Sequence, residues 1–164
     1  MELIKRNTGY GLRALIFMAS HEAEGARVAE DGSSAGGGRA CVGSAEKAFT
    51  AEELADAADT SADFMHKIMQ ALRDGGIVES KRGPGGGFRL ARDPADTTLL
   101  EIVNAVQGAL HVNRCVIGLD VCERSVECPL RPTWMRIQRE LEDGLRGTTL
   151  ADVVAASRCR VECR

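Results

Sequence analysis

Three cysteines in the second half of the chain, Cys115, Cys122 and Cys128, are the residues best equipped for chemistry. Six residues separate the first two and five separate the next two. Structural zinc gathers its ligands in tight pairs, and none of the chain's six cysteines forms a Cys-x-x-Cys pair. Three thiolates spread along an irregular loop can instead ligate separate irons of one iron–sulfur cluster, and Cys128-Pro129 matches the Cys-Pro step of ferredoxin-type ligation. On spacing alone a cluster, a zinc ion and unliganded thiols all stay open. Cys41 lies far upstream. Cys159 and Cys163, four apart, would share one face of a helix and read by default as tail thiols with no role.

A second chemical feature is a run of cations. Between His66 and Arg92 stand Lys67, Arg73, Lys81, Arg82, Arg89 and Arg92 against only Asp74 and Glu79. The chain as a whole carries a net charge of −3. A local basic patch on an acidic protein can dock one face on phosphates while the rest stays in solution. The plainer reading is a solvated charged surface, so the elements that carry these residues must decide.

Those elements are legible. Leu12, Leu15, Ile16 and Ala19 recur at helical spacing between Tyr10 and Ser20. The stretch from about Ala23 to Lys47 is rich in Gly, Ala, Ser and Glu without period, and is expected to be a flexible insertion. Thr50-Ala51-Glu52-Glu53 is a capping box opening a short helix with Leu54, Ala55 and Ala58 inward. Asp59-Thr60-Ser61 breaks it and caps the next helix, which runs to about Asp74. Phe64, Met65, Ile68, Met69 and Leu72 form its expected buried face. Two short helices joined by a tight turn are a helix-turn-helix.

Ile77–Lys81 then reads as a strand, Arg82-Gly83-Pro84-Gly85-Gly86-Gly87 as a tight loop and Phe88–Ala91 as the returning strand. A basic hairpin directly after a recognition helix is a wing. Ser61, Asp63, His66, Lys67 and Gln70 are the candidates to face base edges. Arg82, with Lys81 beside it, is the candidate for a narrow minor groove. The glycine loop lacks the lysine-plus-hydroxyl of a nucleotide-binding loop and joins two strands. Leu99, Leu100, Ile102, Val103 and Val106 mark a further helix ending near Gly108. Trp134, Ile137, Leu141 and Leu145 form a narrow stripe on a helix starting after Pro132, suited to one partner helix. Thr149-Leu150-Ala151-Asp152 opens a last helix ending by Ser157.

Composition narrows the class. Aromatics make up 4% of the chain, so the core is aliphatic and the fold mainly α. No apolar run approaches the roughly 18–20 residues of a membrane span. The N-terminal stretch has Arg13 inside its apolar run and no small-x-small cleavage site, which argues against a signal peptide. A cytoplasmic protein with metal or redox cysteines is therefore expected, rather than a disulfide scaffold. There is no Ser-His-Asp or Cys-His arrangement to suggest an enzyme. His21 reads as a helix-dipole partner and His111 as a surface residue.

Several of these stretches together resemble one family. They are Thr8-Gly9-Tyr10-Gly11-Leu12-Arg13-Ala14-Leu15, the Ala51–Leu72 helix pair, the wing from Arg82 to Leu90, and the three-cysteine segment followed by Trp134. The chain is similar to the bacterial winged-helix regulators that include IscR, NsrR and RirA. The resemblance implies a homodimer on double-stranded operator DNA, with a 4Fe-4S or 2Fe-2S cluster on Cys115, Cys122 and Cys128 near the dimer helix. It implies two parts: residues 1–92 as the DNA-binding domain, with 23–47 inserted, and residues 93–164 as cluster segment and dimerisation helix. It also implies sensing of cluster status, iron, nitric oxide or redox stress. Three departures stand out. Arg131 occupies the place of a ligating histidine and cannot ligate; Gly9 occupies the place of a ligating carboxylate; and the insertion adds Cys41. The fourth ligand is thus unassigned among Asn7, Cys41, His111, Cys159, Cys163 and a small exogenous group. The competing readings are a winged-helix regulator with a thiol switch or zinc site, and a non-regulatory metalloprotein.

Overall fold

The computed structural model describes residues 3–28, 47–83, 85–113, 116–117 and 127–162, with backbone alone for 22–28 and 158–162. In chain order come α1 (Arg6–Val28), α2 (Ala51–Ala58), α3 (Ala62–Asp74), β1 (Val78–Lys81), β2 (Gly87–Leu90), a 3-10 turn (Pro94–Asp96), α4 (Leu99–Gln107), α5 (Arg131–Arg146) and α6 (Leu150–Glu162). The fold is mainly helical with one antiparallel two-stranded sheet, as the sequence predicts.

α1 is the central post, packed by α2, α3, α4 and α6. Its buried side carries Ala14, Leu15, Met18 and Ala19, while Leu12 and Ile16 are only half-buried. The helix continues to Val28, so the first residues of the expected insertion, from Ala23, are helical instead. Residues 29–46, Cys41 among them, lie outside the described residues.

The predicted capping box at α2 is present. Thr50 accepts from the Glu53 amide (3.2 Å) and Glu53 accepts from the Thr50 amide (2.8 Å). Asp59 closes α2 in the left-handed conformation at φ 58°, which a short polar side chain tolerates. Leu54, Ala55 and Ala58 are buried. In α3, Met65, Ile68, Met69 and Leu72 are buried, but Phe64 is 39% exposed. The expectation of a buried Phe64 fails because its position falls on the flank of the buried stripe. There Tyr10 of α1 meets only its edge, at a centroid distance of 6.0 Å.

β1 and β2 pair Val78 with Leu90, Glu79 with Arg89, Ser80 with Phe88 and Lys81 with Gly87. A rung absent from the sequence reading is Phe49, which exchanges two backbone hydrogen bonds of 2.8 Å with Phe88. Phe49 thus clamps the wing to the start of α2. Gly87 sits at this crossing with φ 154°, where a Cβ would overlap the Phe49 carbonyl.

The C-terminal elements return to the same core. Thr98 and Thr149 form an isolated bridge; the Leu99 amide donates to the Thr148 carbonyl (2.9 Å), and the Leu150 amide to the Thr97 carbonyl (2.8 Å). Each threonine also caps its helix, Thr98 with Glu101 and Thr149 with Asp152. Both carboxyls are held below their ordinary range, first by the backbone amides of those threonines. α5 begins at Arg131, so Pro132 lies inside its first turn rather than before it, and α6 runs beyond Ser157 to Glu162.

Candidate nucleic-acid interface

A helix that reads base edges needs one face held by the core and the other left polar and exposed. α3 meets that condition. Successive side chains rotate by about 100°, so the buried Met65, Ile68, Met69 and Leu72 leave Asp63, Lys67 and Gln70 opposite them, all exposed. His66 and Phe64 occupy the two flanks. The His66 ring lies 5.7 Å from that of Phe88, on the wing side, and the Gln70 side-chain amide donates to His66 Nε2 at 3.1 Å. Phe64 lies on the α1 side, against Tyr10.

Ser61 is exposed and is the N-cap of α3, its hydroxyl accepting from the Phe64 amide at 3.4 Å. Its own proton stays available to donate. Asp63, in the first turn, sits where a carboxylate also suits the helix dipole.

Ion pairing sorts the cations of the basic stretch. Arg73 pairs with Asp74 (3.1 Å), Arg89 with Glu79 across the wing (2.6 Å) and Arg92 with Glu101 (2.9 Å). Lys67, Lys81 and Arg82 have no such partner among the described residues. All three are exposed, one on α3 and two at the wing. Gly83 and Gly85 turn the wing with φ of 99° and 73°, with Arg82 exposed at the start of that turn. The sequence alone could not make this sorting, because it depends on which acid each arginine meets across strands and helices.

The cysteine segment is only partly in view. Cys115 and Cys122 lie outside the described residues; Cys128 is a half-buried free thiol just before α5. Among the described residues no group of three or more His, Cys, Asp or Glu is placed to hold a metal. Two features bear on whether a cluster suits this place. The Arg131 amide donates to the Cys128 carbonyl (3.2 Å), fixing the thiol's backbone at the mouth of α5. Arg131 Nε is buried without a hydrogen-bond partner. A buried, unpartnered donor on a residue three positions from Cys128 suits an anionic group, as a thiolate-ligated cluster is.

Buried Gln138 of α5, which no sequence motif singles out, ties the start of the segment down. It donates to the Leu110 carbonyl (2.6 Å) and accepts from the Val112 amide (2.9 Å). Of the other candidate ligands, Asn7 accepts from the Thr8 amide (3.0 Å). His111 is exposed and lines a cavity with Leu3, Lys5, Gln107 and Leu110. Nothing brings either next to Cys128.

Taken as a class, a helix-turn-helix followed by a two-stranded wing defines a winged-helix DNA-binding fold. The comparisons with known proteins agree. The family model described as Rrf2, iron-dependent transcriptional regulator, matches residues 41–156. The chain belongs to the Rrf2 family and is a transcription regulator, of a family whose named members are regulators and not enzymes. Among its relatives, an HTH-type transcriptional regulator of Haemophilus influenzae is 30% identical over 62% of this chain and 67% of its own. IscR of Klebsiella pneumoniae strain 342 is 28% identical over 62% of each. The matches thus span about two thirds of these relatives' length. Among solved structures, CymR, the global cysteine regulator of B. subtilis, superimposes with a TM-score of 0.66 at 22% identity, covering 95% of this chain and 98% of that one. T. potens IscR does so with 0.65 at 20%, covering 96% and 88%. At those identities the likeness concerns the fold.

Proposed function

We propose that this regulator acts in the cytoplasm as a homodimer, reading operator DNA with α3 and the wing under control of an iron–sulfur cluster on Cys115, Cys122 and Cys128. The observation that carries the DNA half is the sorting of cations: Lys67, Lys81 and Arg82 stay unpaired on α3 and the wing, while their neighbours are neutralised within the chain. Ser61, Asp63, His66 and Gln70 complete the reading surface around them.

The dimer half rests on α5. Its apolar stripe, Trp134, Ile137, Leu141 and Leu145, is only half covered by the chain itself. Leu130 and Ile117 nearby in sequence are 60% and 51% exposed. A second copy of α5 laid on that stripe would bury it, as the narrow seam of paired helices requires.

The sensor half rests on Cys128, the unpartnered Arg131 Nε and the likeness to IscR. When bound, the cluster supplies a redox- and nitric-oxide-sensitive link among the three thiolates. The chain's own residues would carry its effect outward. Gln138 joins the start of the cysteine segment to α5, and α5 in the dimer sets the distance between the two copies of α3. Half-sites one helical turn apart tolerate little error in that distance, so ordering of the segment becomes a change in DNA affinity.

The test is anaerobic purification followed by iron, sulfide and zinc analysis, repeated with Cys115, Cys122 and Cys128 all changed to Ala. The expected result is visible iron–sulfur absorption that the triple variant lacks. Colour surviving in the triple variant would overturn the ligand assignment. Zinc without iron, or metal-free thiols that alter DNA binding when oxidised, would replace the cluster by a zinc site or a thiol switch.

A further inference from the structure

Phe64 is the one large apolar side chain left exposed on the described helix-turn-helix and wing; the other such residues are Leu3, Ile4, Ile117 and Leu130. It stands in the first turn of α3, between the cap Ser61 and the unpaired Lys67, at the end of a recognition helix that reaches base edges first. Its ring is braced. Tyr10 meets it at 6.0 Å with the planes 87° apart. The Arg13 guanidinium lies 5.8 Å from the Tyr10 ring centre and donates to the Ala58 carbonyl (3.2 Å). α1 thus supports one edge of the Phe64 ring, through a Tyr10 that Arg13 in turn ties to the end of α2, and leaves the rest of the ring open to solvent.

An exposed ring supported on one edge by Tyr10 and set between a hydroxyl cap and an unpaired ammonium is suited to an apolar spot on a polyanion. In the major groove that spot is the thymine methyl group, and a phenylalanine is among the side chains that contact it. A protein partner would call for a contiguous apolar patch; here the exposed ring stands alone among polar residues.

We propose that Phe64 is a specificity-determining contact that packs on the methyl of one thymine in each half-site. The inference rests on the reading of α3 as the recognition helix. It adds a base preference at the α1 side of the helix, where the hydrogen-bonding side chains of the opposite face do not reach.

The probe is a duplex selected by the wild-type protein from a random-sequence pool, with each thymine replaced in turn by uracil, which removes the methyl alone. Wild-type protein should lose about fourfold in affinity at one thymine per half-site, as one buried methyl is worth. Phe64→Ala should bind the parent duplex more weakly, show no loss at that position and keep the wild-type response at all others. Phe64→Leu should retain part of the preference. An unchanged thermal midpoint in both variants is expected from so exposed a residue. Identical thymine-to-uracil profiles for wild type and Phe64→Ala overturn this inference alone; failure of the wild type to select any sequence overturns the α3 reading together with it.

Discussion

α3 and α5 are both amphipathic helices carrying four or more apolar residues at helical spacing, yet the chain treats them differently. On α3 the apolar stripe is closed off: Met65, Met69 and Leu72 are 0% exposed and Ile68 3%. On α5 the only buried residue is Gln138, and Trp134, Ile137, Leu141 and Leu145 remain half-covered. The reading head completes its own core through α1, Phe49 and the wing. The C-terminal helix does not. An apolar stripe that a folded chain leaves half-wet is a surface for something else, and on the dimer proposal that something is its own copy. The two regions also differ in what their polar residues do. At the head Lys67, Lys81 and Arg82 are left without an ion-pair partner among the described residues, whereas at α5 a buried amide is turned inward to grip the start of the segment that bears the cysteines.

The largest expected effect comes from breaking the α5 side of this contrast. Leu141→Glu places a charge in the middle of the stripe without touching the head. It should convert the dimer to a monomer by light scattering while the thermal unfolding of the head persists. Binding to a two-half-site duplex should fall by about 10²–10⁴, the gain that linking two heads supplies. A variant that stays dimeric with full affinity would mean that α5 is not the seam.

Arg82→Ala strikes the other side. It removes an unpaired wing cation and leaves α5 intact, so the mass should stay that of a dimer. Affinity should fall about tenfold at fixed salt, as for loss of one good contact per head. The slope of log affinity against log salt should become shallower by about 0.9 for each phosphate charge no longer neutralised. Unchanged affinity in a gel-shift titration would refute the wing assignment. Loss of the dimer instead would show that the two regions are not separable.

How far the sequence alone could reach follows the same divide. The capping box at Thr50, the glycine-rich wing and most of the buried stripe of α3 depend on neighbours within a few residues, and they are readable from spacing. Phe64 is exposed against expectation because helical period separates faces but not the flank between them, and on that flank α1 offers only the edge contact of Tyr10. Phe49 was missed because its two partner hydrogen bonds come from a strand far along the chain. Gln138 looks like any polar residue on a surface helix until the Leu110 carbonyl and Val112 amide are placed beside it. The pairing of Arg89 and Arg92 is likewise a matter of tertiary placement, and it is what leaves Lys81 and Arg82 as the wing's unpaired cations among the described residues.

The smallest effect sharpens the contrast at the joint between the two regions, where α4 and α6 start side by side at Thr98 and Thr149. Glu101 accepts from the Thr98 amide (2.9 Å) and pairs with Arg92 (2.9 Å), which hold its carboxyl below the ordinary range. A carboxyl whose folded pKa is depressed contributes stability that is fully present above its unfolded pKa. That contribution is lost as the pH falls through the lower, folded value, so the pH dependence belongs to the acid side and the contribution is constant at neutrality and above. Because the Glu101 side chain is 43% exposed, solvent screening limits the contribution to less than about 1 kcal/mol. Glu101→Gln keeps a residue able to complete the capping box but has no charge to titrate. Chemical unfolding at a series of pH values between neutrality and pH 3 should therefore show a slightly less stable variant at pH 7, by a few tenths of a kcal/mol. The acid-side decline of the variant should be shallower than that of the parent. Parallel curves would show that the Thr98–Glu101 contact places no proton-linked weight on the joint between reading head and C-terminal helices.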